Sequence, residues 1–403
     1  MSSVRLPDDV VVPGQSKIVL LVLDGLGGIQ DPRHGKTELQ AARTPNLDRL
    51  AAEGTCGVFD PIAPGITPGS GPAHMALFGY DPLTCNIGRG VLSALGVGFD
   101  LTPRDLAARV NFATVDTAGN VTDRRAGRIS SEENARLCEK IAGSVRLPGG
   151  VELFIQTEQE HRAVVVFRGD GLHEGVSDTD PQRIGVRPLD PAPLSPEAEK
   201  ASLVVRSFLE QAHSVLADER PANAILLRGF AVQRPYTSFG ERFNLRAAAI
   251  AKYPMYRGLA RLIGMDVLPA RDDIDAEMEL LRQEFQKHDF FYFHVKKTDS
   301  SGEDGDFDAK VKAIELVDSR IPGLMALSPD VVAVTADHST PSLLRAHSWH
   351  PVPVLLRAST CRVDEVRAFD ETSCARGGFG RMPMINLMSL MLAHAGRLTK
   401  YGA

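Results

Sequence analysis

Residues 17–28 read KIVLLVLDGLGG, an apolar run that ends in an acid and a glycine-rich turn. The apolar part, Lys17–Leu23, predicts a strand that is buried on both faces of a sheet. Further short apolar runs alternate with helical stretches, which indicates an α/β protein with a mostly parallel sheet flanked by helices. The other predicted strands are Ala163–Phe167, Ala224–Leu227, Phe290–Val295, Val331–Thr335 and Val352–Leu356.

Three segments carry the periodicity of helices. Thr44–Glu53 reads TPNLDRLAAE, in which a threonine and a proline precede apolar residues at helical spacing. That order is typical of the start of a helix. The other two predicted helices are Asp308–Val317 and Pro383–Ala395.

The length of 403 residues exceeds one ordinary domain and predicts two. Motifs rich in acids and histidines fall into two blocks, near residues 24–90 and 294–350, separated by a segment with its own strands and arginines. When motifs for one functional site lie near both ends of a chain, the segment between them is expected to form an inserted domain. We therefore expect a metal-binding domain formed by residues 1–96 and 236–403, and an inserted smaller α/β or α+β domain at 97–235.

The composition excludes several classes of protein. Hydrophobic residues make up 43% and charged residues 24%, as in an ordinary globular chain, and the net charge of -6 argues against nucleic-acid binding. No apolar run reaches the roughly eighteen residues of a membrane-spanning helix, and the first residues lack the order of a secretory signal. Scattered cysteines without CxxC spacing predict free thiols in a reducing cytoplasm. These are Cys56, Cys85, Cys138, Cys361 and Cys374. We expect a cytoplasmic monomer or small homo-oligomer that binds neither nucleic acid nor membrane.

Two motifs place a functional side chain beside glycines. Asp24 follows the first predicted strand, and the glycines after it leave its carboxylate open to a ligand. Ser70 lies in TPGSGPAH, residues 67–74, where glycines on both sides expose its hydroxyl and a helix start would favour a bound phosphate. Alone, the first motif also fits a helix-capping turn and the second fits a linker.

Two further motifs follow predicted strands near the other end of the chain. Residues 294–306, HVKKTDSSGEDGD, concentrate acids in one loop, which alone also fits a solvated turn. Residues 335–340, TADHST, hold Asp337 and His338, and His347 lies nine residues beyond His338. A carboxylate and an imidazole are natural ligands of a divalent transition metal, although alone they also fit a structural pair.

The four motifs together predict more than each one alone. Phosphoryl transfer through a serine requires a lowered hydroxyl pKa and neutralisation of the phosphoryl oxygens, and two divalent ions about 4 Å apart provide both. Three of the motifs follow strands directly, where α/β folds place their ligand-binding loops. The sequence therefore predicts a two-metal phosphoryl-transfer site.

Several long stretches also resemble a known family over nearly the whole chain. They are LVLDGLGG, TELQAARTPNLDRLAAEG, PGSGPAHMALFGYDP, NFATVD with DRRAGRIS, IAKYPMYRGLARLIGM, HVKKTDSSGEDGDFDAKVKAIELVD, and TADHSTP followed by HSWHPVPVLL. In this order they resemble the alkaline phosphatase superfamily and, more narrowly, the archaeal-type cofactor-independent phosphoglycerate mutases, which also occur in bacteria. The resemblance implies an alkaline-phosphatase-like core and an inserted domain that grips phosphoglycerate.

The resemblance also implies roles for individual residues. Ser70 corresponds to the nucleophile that becomes phosphoserine, and Lys252 to a partner of the phosphoryl oxygens. Asp24, Ser70, Asp337 and His338 correspond to the ligands of one metal ion. Asp299 and His347 correspond to two ligands of the other. The resemblance implies manganese as the usual ion, with magnesium, zinc or cobalt sometimes competent.

One position departs from the family pattern. Where the family usually reads AGHDG, this chain reads SGEDG at residues 301–305, so Glu303 stands at the expected histidine ligand. Glutamate is a harder, anionic ligand, and we expect it to shift the preference from zinc towards manganese or magnesium. The alternative is a weakened second site with impaired activity.

A mutase must also hold a phosphate and a carboxylate while the glycerate reorients, and arginine binds such anions bidentately. The inserted segment offers several candidate substrate-binding residues, although each could equally be a surface charge. They are Arg124, Arg125, Arg128, His161, Arg162, Asp178, Asp180 and Arg228. Asp178 and Asp180 could orient the substrate hydroxyl or carry a proton.

The expected reaction interconverts 2-phosphoglycerate and 3-phosphoglycerate, a step of glycolysis and gluconeogenesis, with domain closure excluding water. One alternative keeps the fold and changes the acceptor, as in a homoserine kinase or another phosphotransferase or phosphatase of the superfamily. The absence of a Walker-type loop disfavours a kinase. A second alternative is a regulatory metal-binding protein that has lost catalysis, which the intact serine, aspartates and histidines disfavour.

Overall fold

The structure is a computed structural model that describes residues 6–7, 10–85 and 87–402. Its strands are β1 (Ile18–Leu23), β2 (Thr55–Asp60), β3 (Asp105–Val115), β4 (Val121–Asp123), β5 (Glu152–Gln159), β6 (Arg162–Arg168), β7 (Ala224–Val232), β8 (Ala247–Ile250), β9 (Asp266–Val267), β10 (Phe290–Val295), β11 (Val331–Thr335), β12 (Val352–Ala358) and β13 (Gly380–Pro383). Its helices are α1 (Glu38–Ala41), α2 (Pro45–Ala52), α3 (Ser70–Leu77), α4 (Arg89–Gly96), α5 (Ser131–Ser144), α6 (Glu199–Leu216), α7 (Phe239–Phe243), α8 (Pro254–Leu262), α9 (Ile274–Glu284), α10 (Lys297–Asp304), α11 (Phe307–Asp318), α12 (Ile321–Met325), α13 (Glu371–Cys374) and α14 (Asn386–His394).

The predicted elements are confirmed. Each of the six predicted strands corresponds to a strand of the structure, and β10 and β11 have the predicted limits. The three predicted helices correspond to α2, α11 and α14. In the described part of the chain, every helix is too short or too polar to cross a lipid bilayer.

The described residues form two compact units. The first comprises the described residues of Met1–Asn86, Thr237–Tyr253 and Ile263–Ala403, and the second comprises Ile87–Tyr236 and Pro254–Leu262. The second unit contains the predicted insertion, residues 97–235, and also includes residues 87–96, 236 and 254–262. The reason is packing: α4 and α8 lie against each other, and α4 also packs on β3, β6 and β7.

The first unit is built on an eight-stranded sheet with the order β13-β2-β12-β11-β1-β10-β8-β9. The strands from β11 through β1, β10 and β8 to β9 are parallel, whereas β12 is antiparallel to both of its neighbours. Every residue of β1 and β11 is buried, as expected for parallel strands that are covered on both faces. The expected α/β fold with a mostly parallel sheet is confirmed.

The register of this sheet brings the motifs to one edge. Leu23 lies opposite Val295 of β10, and Val22 lies opposite Thr335 of β11, so the carboxyl ends of the three strands are neighbours. The residues that follow these strands therefore meet at one place. β2 is antiparallel to β12 and ends at the same edge, from which the chain continues to Ser70 at the start of α3.

The second unit is built on an antiparallel sheet. β3 is central, with β6 and then β5 on one side and β7 on the other, and β4 pairs with the end of β3. One face of the sheet carries apolar side chains, among them Val110, Phe112 and Val165, that pack against α5 and α6 in a closed core. The opposite face is partly covered by α4, whose Ala94 packs with Ala107, Val164 and Val166, and it also carries polar residues that matter below.

Candidate active site

One group of potential metal ligands lies at the carboxyl edge of the first sheet. Asp24, Asp337 and His338 are fully buried, and each offers a ligand atom within 4.8 Å of the others. His338 Nε2 is 3.4 Å from Asp24 Oδ1 and 3.1 Å from Asp337 Oδ2. These residues follow β1 and β11, so the register of the two strands explains why they meet.

Asp299, His338 and His347 form a second such group beside the first. Asp299 is buried in the first turn of α10, and its Oδ1 lies 3.7 Å from His347 Nε2. The rings of His338 and His347 stack with centroids 3.6 Å apart. Glu303, the residue at the departure from the family pattern, lies at the outer side with its side chain 54% exposed and its Oε1 3.9 Å from His347 Nε2.

Hydrogen bonds fix which nitrogen each imidazole offers. The hydroxyl of Thr340 donates to Asp299 Oδ1 over 2.6 Å, so at 3.0 Å it accepts from His338 Nδ1. His347 Nδ1 likewise lies 3.0 Å from the carbonyl oxygen of Pro68, which can only accept. Both histidines therefore donate through Nδ1 and direct Nε2 at the carboxylates, as metal-binding histidines do. This assigns His338 Nε2 to the group of Asp24 and Asp337.

Ser70 lies beside the first group. Its Oγ is 3.2 Å from His338 Nε2, and it is the first residue of α3, where backbone N–H groups are unpaired by the helix. His74, one turn later, has Nδ1 2.9 Å from the Ser70 carbonyl oxygen and 3.3 Å from Asp337 Oδ2. Burial lowers the pKa of His74 to about 4, so this imidazole is neutral and donates through Nδ1.

A lysine that sequence reasoning did not single out contacts both groups. Lys296 Nζ lies 3.1 Å from Asp24 Oδ2 and 2.5 Å from Asp299 Oδ2, and its ammonium faces the ring of Tyr253. Lys252, the predicted catalytic lysine, is exposed, and its Nζ donates to the carbonyl oxygen of Asp272. Among the described residues, the lysine whose Nζ reaches these carboxylates is Lys296. The role of Lys252 stays a prediction.

The charges of the site are strongly coupled. Burial alone would raise the pKa of the Asp24 carboxyl, but Lys296, His294 and His338 lower it well below its usual value. Burial alone would lower the pKa of His338, but Asp337, Asp24 and Asp299 raise it to about 9. These carboxylates favour the protonated form of His338, so protonation would compete with the binding of a metal ion.

The glycine after Asp24 is required by its conformation and by space. Gly25 has a φ of +65°, and a Cβ there would lie 2.5 Å from Thr340 Oγ1 and 2.8 Å from Asp299 Oδ1. Any side chain would therefore displace the hydroxyl and the carboxylate that orient the histidines. The loop carries glycine because two ligand-bearing segments approach its backbone.

The donor set fits a pair of divalent cations. Three buried carboxylates and two imidazole Nε2 atoms provide the oxygen and nitrogen ligands that manganese, magnesium or zinc accept. Asp337 Oδ2 is buried, and nitrogens of His74 and His338 lie 3.3 and 3.1 Å from it. A divalent cation would balance the negative charges that the three buried carboxylates bring together.

The second unit carries a cluster of arginines on the face of its sheet that lies opposite α5 and α6. Arg109 of β3 lies directly opposite Arg228 of β7, and Asn111 of β3 lies opposite Arg162 of β6. Alternate residues of a strand share a face, so these side chains are neighbours. Burial lowers the pKa of Arg89, and Arg228, Arg109 and Arg162 lower it further. Such mutual repulsion favours an anionic ligand.

Most of the predicted substrate-binding residues belong to this region. Burial lowers the pKa of His161 to about 4, and the positive charges of Arg162, Arg125, Arg109 and Arg128 act in the same direction. Arg109 Nε and Arg228 Nε are buried and donate no hydrogen bond among the described residues.

The two predicted aspartates, Asp178 and Asp180, contact neighbouring residues. Asp180 is buried and binds Arg124 through two hydrogen bonds of 2.9 and 2.7 Å, and Arg228 Nη1 lies 3.6 Å from it. Asp178 accepts from the amide of Gly229, and its Oδ2 lies 3.8 Å from Arg228 Nε, which is beyond hydrogen-bond distance. The Arg124 guanidinium is therefore engaged, whereas Arg228 keeps donors for a ligand.

Comparison with known proteins identifies the family. The chain is 50% identical over 391 residues to a probable 2,3-bisphosphoglycerate-independent phosphoglycerate mutase of Thermus thermophilus, covering 96% of each chain. The family model for 2,3-bisphosphoglycerate-independent phosphoglycerate mutase matches residues 51–223. The chain belongs to this family. A probable phosphoglycerate mutase of the same kind from Aquifex aeolicus is 46% identical over 403 residues, covering 98% of this chain and 99% of the other.

Solved structures of similar proteins support the phosphoglycerate mutase fold. The PH0037 protein from Pyrococcus horikoshii aligns with a TM-score of 0.82 at 30% identity, over 96% of this chain and all of that one. The cofactor-independent phosphoglycerate mutase from Thermoplasma acidophilum aligns with a TM-score of 0.71 at 32% identity, over 94% of this chain and all of that one. The family expected from the motifs is confirmed, and the homoserine kinase alternative is not favoured.

Several residues around the phosphoglycerate mutase site were missed from sequence. They are His74, His294, Lys296 and Thr340 in the first unit, and Arg89, Arg109 and Asn111 in the second. His294 and Lys296 belong to a quoted motif directly after a predicted strand, which was a usable signal. Trp349 lies two residues beyond His347 in the sequence. It is 53% exposed, and its ring stacks on that of His350 with the centroids 5.1 Å apart.

Proposed function

We propose that this protein interconverts 2-phosphoglycerate and 3-phosphoglycerate through a phosphoserine at Ser70. The observation that carries the proposal is the position of Ser70 Oγ, which lies 3.2 Å from His338 Nε2 within the group of potential metal ligands. The hydroxyl also stands at the first residue of α3, where backbone N–H groups favour a phosphoryl group. A nucleophile, an anion-binding backbone and candidate ligands therefore occur together.

The residues of the chain would share the chemistry as follows. Asp24, Ser70, Asp337 and His338 would hold one divalent ion, and Asp299, His347 and Glu303 the other. The two ions would lower the pKa of the Ser70 hydroxyl and offset charge on the phosphoryl oxygens. Ser70 Oγ attacks phosphorus in line, the glycerate oxygen leaves, and the phosphoserine then returns the group to the other glycerate hydroxyl.

A mutase differs from a phosphatase because it retains the glycerate between the two transfers. We assign this task to the arginine cluster of the second unit, in which Arg109 and Arg228 present unused donors. Guanidinium groups bind a carboxylate or a phosphate bidentately, so several of them can hold a glycerate that changes orientation. Lys252 and Lys296 are the candidate lysines for the transferred phosphoryl group.

We infer that manganese is the preferred ion, that magnesium, zinc or cobalt can replace it, and that Glu303 shifts the preference from zinc towards manganese or magnesium. Glu303 supports this because its carboxylate, 3.9 Å from His347 Nε2, would add a hard oxygen ligand where the family usually has an imidazole. Titration of metal-free protein should show two bound manganese ions, and Glu303→His should raise the affinity for zinc relative to manganese. A single bound ion at saturation would contradict this assignment.

The reaction is tested by a coupled assay with enolase and manganese, without nucleotide. Wild type should convert 3-phosphoglycerate, whereas Ser70→Ala should lose at least about 10⁴-fold in rate because no other nucleophile replaces the hydroxyl. Ser300→Ala, which removes a hydroxyl in α10 that only approaches the Lys296 carbonyl oxygen, serves as the control. Mass spectrometry of quenched wild type should show a phosphate on Ser70.

The same assay separates the other functions. Product formation that requires ATP would favour a kinase, and release of inorganic phosphate without isomerisation would favour a phosphatase. Full activity of Ser70→Ala would overturn the proposed nucleophile. We propose further that the protein acts in the cytoplasm as a monomer or a small homo-oligomer, in agreement with its scattered free cysteines.

A further inference from the structure

A fully buried lysine lies directly behind the loops that carry the candidate metal ligands. Lys310 of α11 has no exposed surface, and its Nζ donates to three carbonyl oxygens, those of Gly25 at 2.9 Å, Gly27 at 3.2 Å and Thr340 at 2.8 Å. An ammonium has three N–H groups, so all of them are used. A buried charge with this geometry binds its three acceptors tightly.

The three carbonyl groups belong to two loops that are distant in sequence. Gly25 and Gly27 directly follow Asp24, whereas Thr340 lies two residues beyond His338. The amide of Thr340 also donates to the carbonyl oxygens of Gly25 and Gly27, both at 3.1 Å. Lys310 and this amide together join the loop that carries Asp24 to the loop that carries His338.

The position of Thr340 affects both groups of candidate ligands. Its hydroxyl contacts His338 Nδ1 at 3.0 Å and Asp299 Oδ1 at 2.6 Å, and thereby orients one imidazole and one carboxylate. A shift of the Thr340 backbone would move both contacts. The separation of the carboxylates of Asp24 and Asp299 therefore depends on where Lys310 holds Thr340.

Two carboxylates balance the charge of Lys310 and bind the same loops. Glu38 is buried and accepts from the amide of Ser342 at 2.7 Å, and Glu371 accepts from the amide of Gly28 at 2.8 Å. Burial lowers the pKa of the Lys310 ammonium, whereas Glu38 and Glu371 raise it. Asp299 and Asp24 act in the same direction but more weakly, and Lys310 is a tether that contacts the loop carbonyl groups and not the ligand side chains.

We propose that Lys310 is a positioning residue that sets the affinity of the site for divalent cations by holding the loop of Asp24 against the loop of Asp337 and His338. The inference rests on the proposed function, because it takes these residues to be metal ligands. Lys310 touches neither ion nor substrate. Its contribution is the fixed distance between two ligand-bearing loops.

The test compares variants of two fully buried, positively charged residues, Lys310 and Arg397. Lys310→Met removes the tether and keeps the length of the side chain, whereas Arg397→Met removes a buried cation that donates to Ser16 and Asn244, away from the ligand loops. Manganese affinity is measured by calorimetric titration of metal-free protein, with circular dichroism to verify folding. We expect Lys310→Met to weaken manganese binding by about 10- to 100-fold. Arg397→Met should lower the Tm and leave the affinity within about twofold.

Each outcome decides between the alternatives. If wild type binds no manganese, the proposed function fails together with the inference. If wild type binds manganese and Lys310→Met binds it equally well, the inference alone is overturned, and an equal loss in Arg397→Met would show a general effect of destabilisation. Should Lys310→Met not fold, Lys310→Gln decides, because it keeps two N–H donors and should bind manganese with intermediate affinity.

Discussion

In the metal-free protein, the positive charge of Lys296 balances the negative charges of two candidate metal ligands. Its Nζ lies within 3.1 Å of Asp24 and 2.5 Å of Asp299, and burial of these carboxylates makes a positive partner necessary. The ammonium therefore stabilises the metal-free protein. It also opposes a metal ion, because both are attracted to the same two carboxylates.

Lys296→Met should consequently have two opposite effects. The metal-free protein should lose about 2 kcal/mol in its free energy of unfolding, because two buried carboxylates lose a partly exposed partner. Manganese should bind more tightly, since no ammonium has to be displaced from Asp24 and Asp299. Thermal unfolding with and without manganese measures both effects. The exposed neighbour Lys297 provides the control, and a metal-free Tm that equals that of wild type would contradict the prediction.

Sequence reasoning named most residues of the candidate metal site but did not single out Lys296. Asp24, Asp337 and His338 were predicted because each directly follows a recognisable buried strand. Lys252 and Lys296 both follow strands of the same sheet, β8 and β10, and a sequence does not reveal which flexible side chain turns towards the carboxylates. The structure shows Lys296 in contact with them and Lys252 bound to the Asp272 carbonyl oxygen.

The arginine cluster forms because of the register in which β3 and β7 pair. Arg109 and Arg228 lie opposite each other because β3 and β7 are antiparallel in that register, and a shift of one residue would turn either side chain to the apolar face. β3 was not predicted, because its sequence DLAARVNFATV places small residues, an arginine and an asparagine on one face. The pairing that joins Arg109 to Arg228 is a long-range contact that periodicity cannot reveal.

Arg228→Met should raise the KM for 3-phosphoglycerate by about 10- to 100-fold, because a charge-assisted hydrogen bond contributes about 1.5–3 kcal/mol to binding. The fold should tolerate the change, since Asp180 keeps its two hydrogen bonds to Arg124. Steady-state kinetics provides the measurement. Arg104→Met, which removes an exposed pair with Asp170 in the same unit, should leave the KM unchanged. An unchanged KM in Arg228→Met would remove this residue from the substrate site.

At the level of the whole chain, Glu371 links segments from both ends of the sequence. Its carboxylate accepts from the amide of Gly28 and the hydroxyl of Thr37, both at 2.8 Å. Burial raises the pKa of Glu371 to about 7, from an ordinary value near 4.5. Between these two pH values the folded protein keeps a proton that the unfolded chain has released, so the free energy of unfolding falls as the pH rises through this window.

Glu371→Gln should flatten this dependence, because an amide accepts from Gly28, donates to Thr37 and does not titrate. The expected difference is about 1–3 kcal/mol between pH 4.5 and 7. Burial also raises the pKa of Glu277 to about 7. Part of the pH dependence of the free energy of unfolding should therefore remain in the variant. Urea denaturation across this range measures the effect, and identical slopes for wild type and variant would contradict it.

The sequence predicts two domains, and the structure divides into two compact units whose limits differ from the predicted ones. Residues 87–96 and 254–262 were assigned to the flanking domain because nothing in their composition differs from it. They belong to the second unit because Gly96 and Gly258 let α4 and α8 approach so closely that a Cβ at either position would meet backbone atoms. Such a contact between distant segments is visible only in three dimensions.

The stacking of Trp349 on His350 has a practical consequence. This is the one tryptophan in the sequence, and it lies two residues beyond His347, so the intrinsic fluorescence of the protein reports from the loop that carries a candidate ligand. Capture of a cation by His347 should alter the solvation of the half-exposed indole and shift its emission. Stopped-flow fluorescence could then follow the arrival of the ion in real time, without a dye or a label.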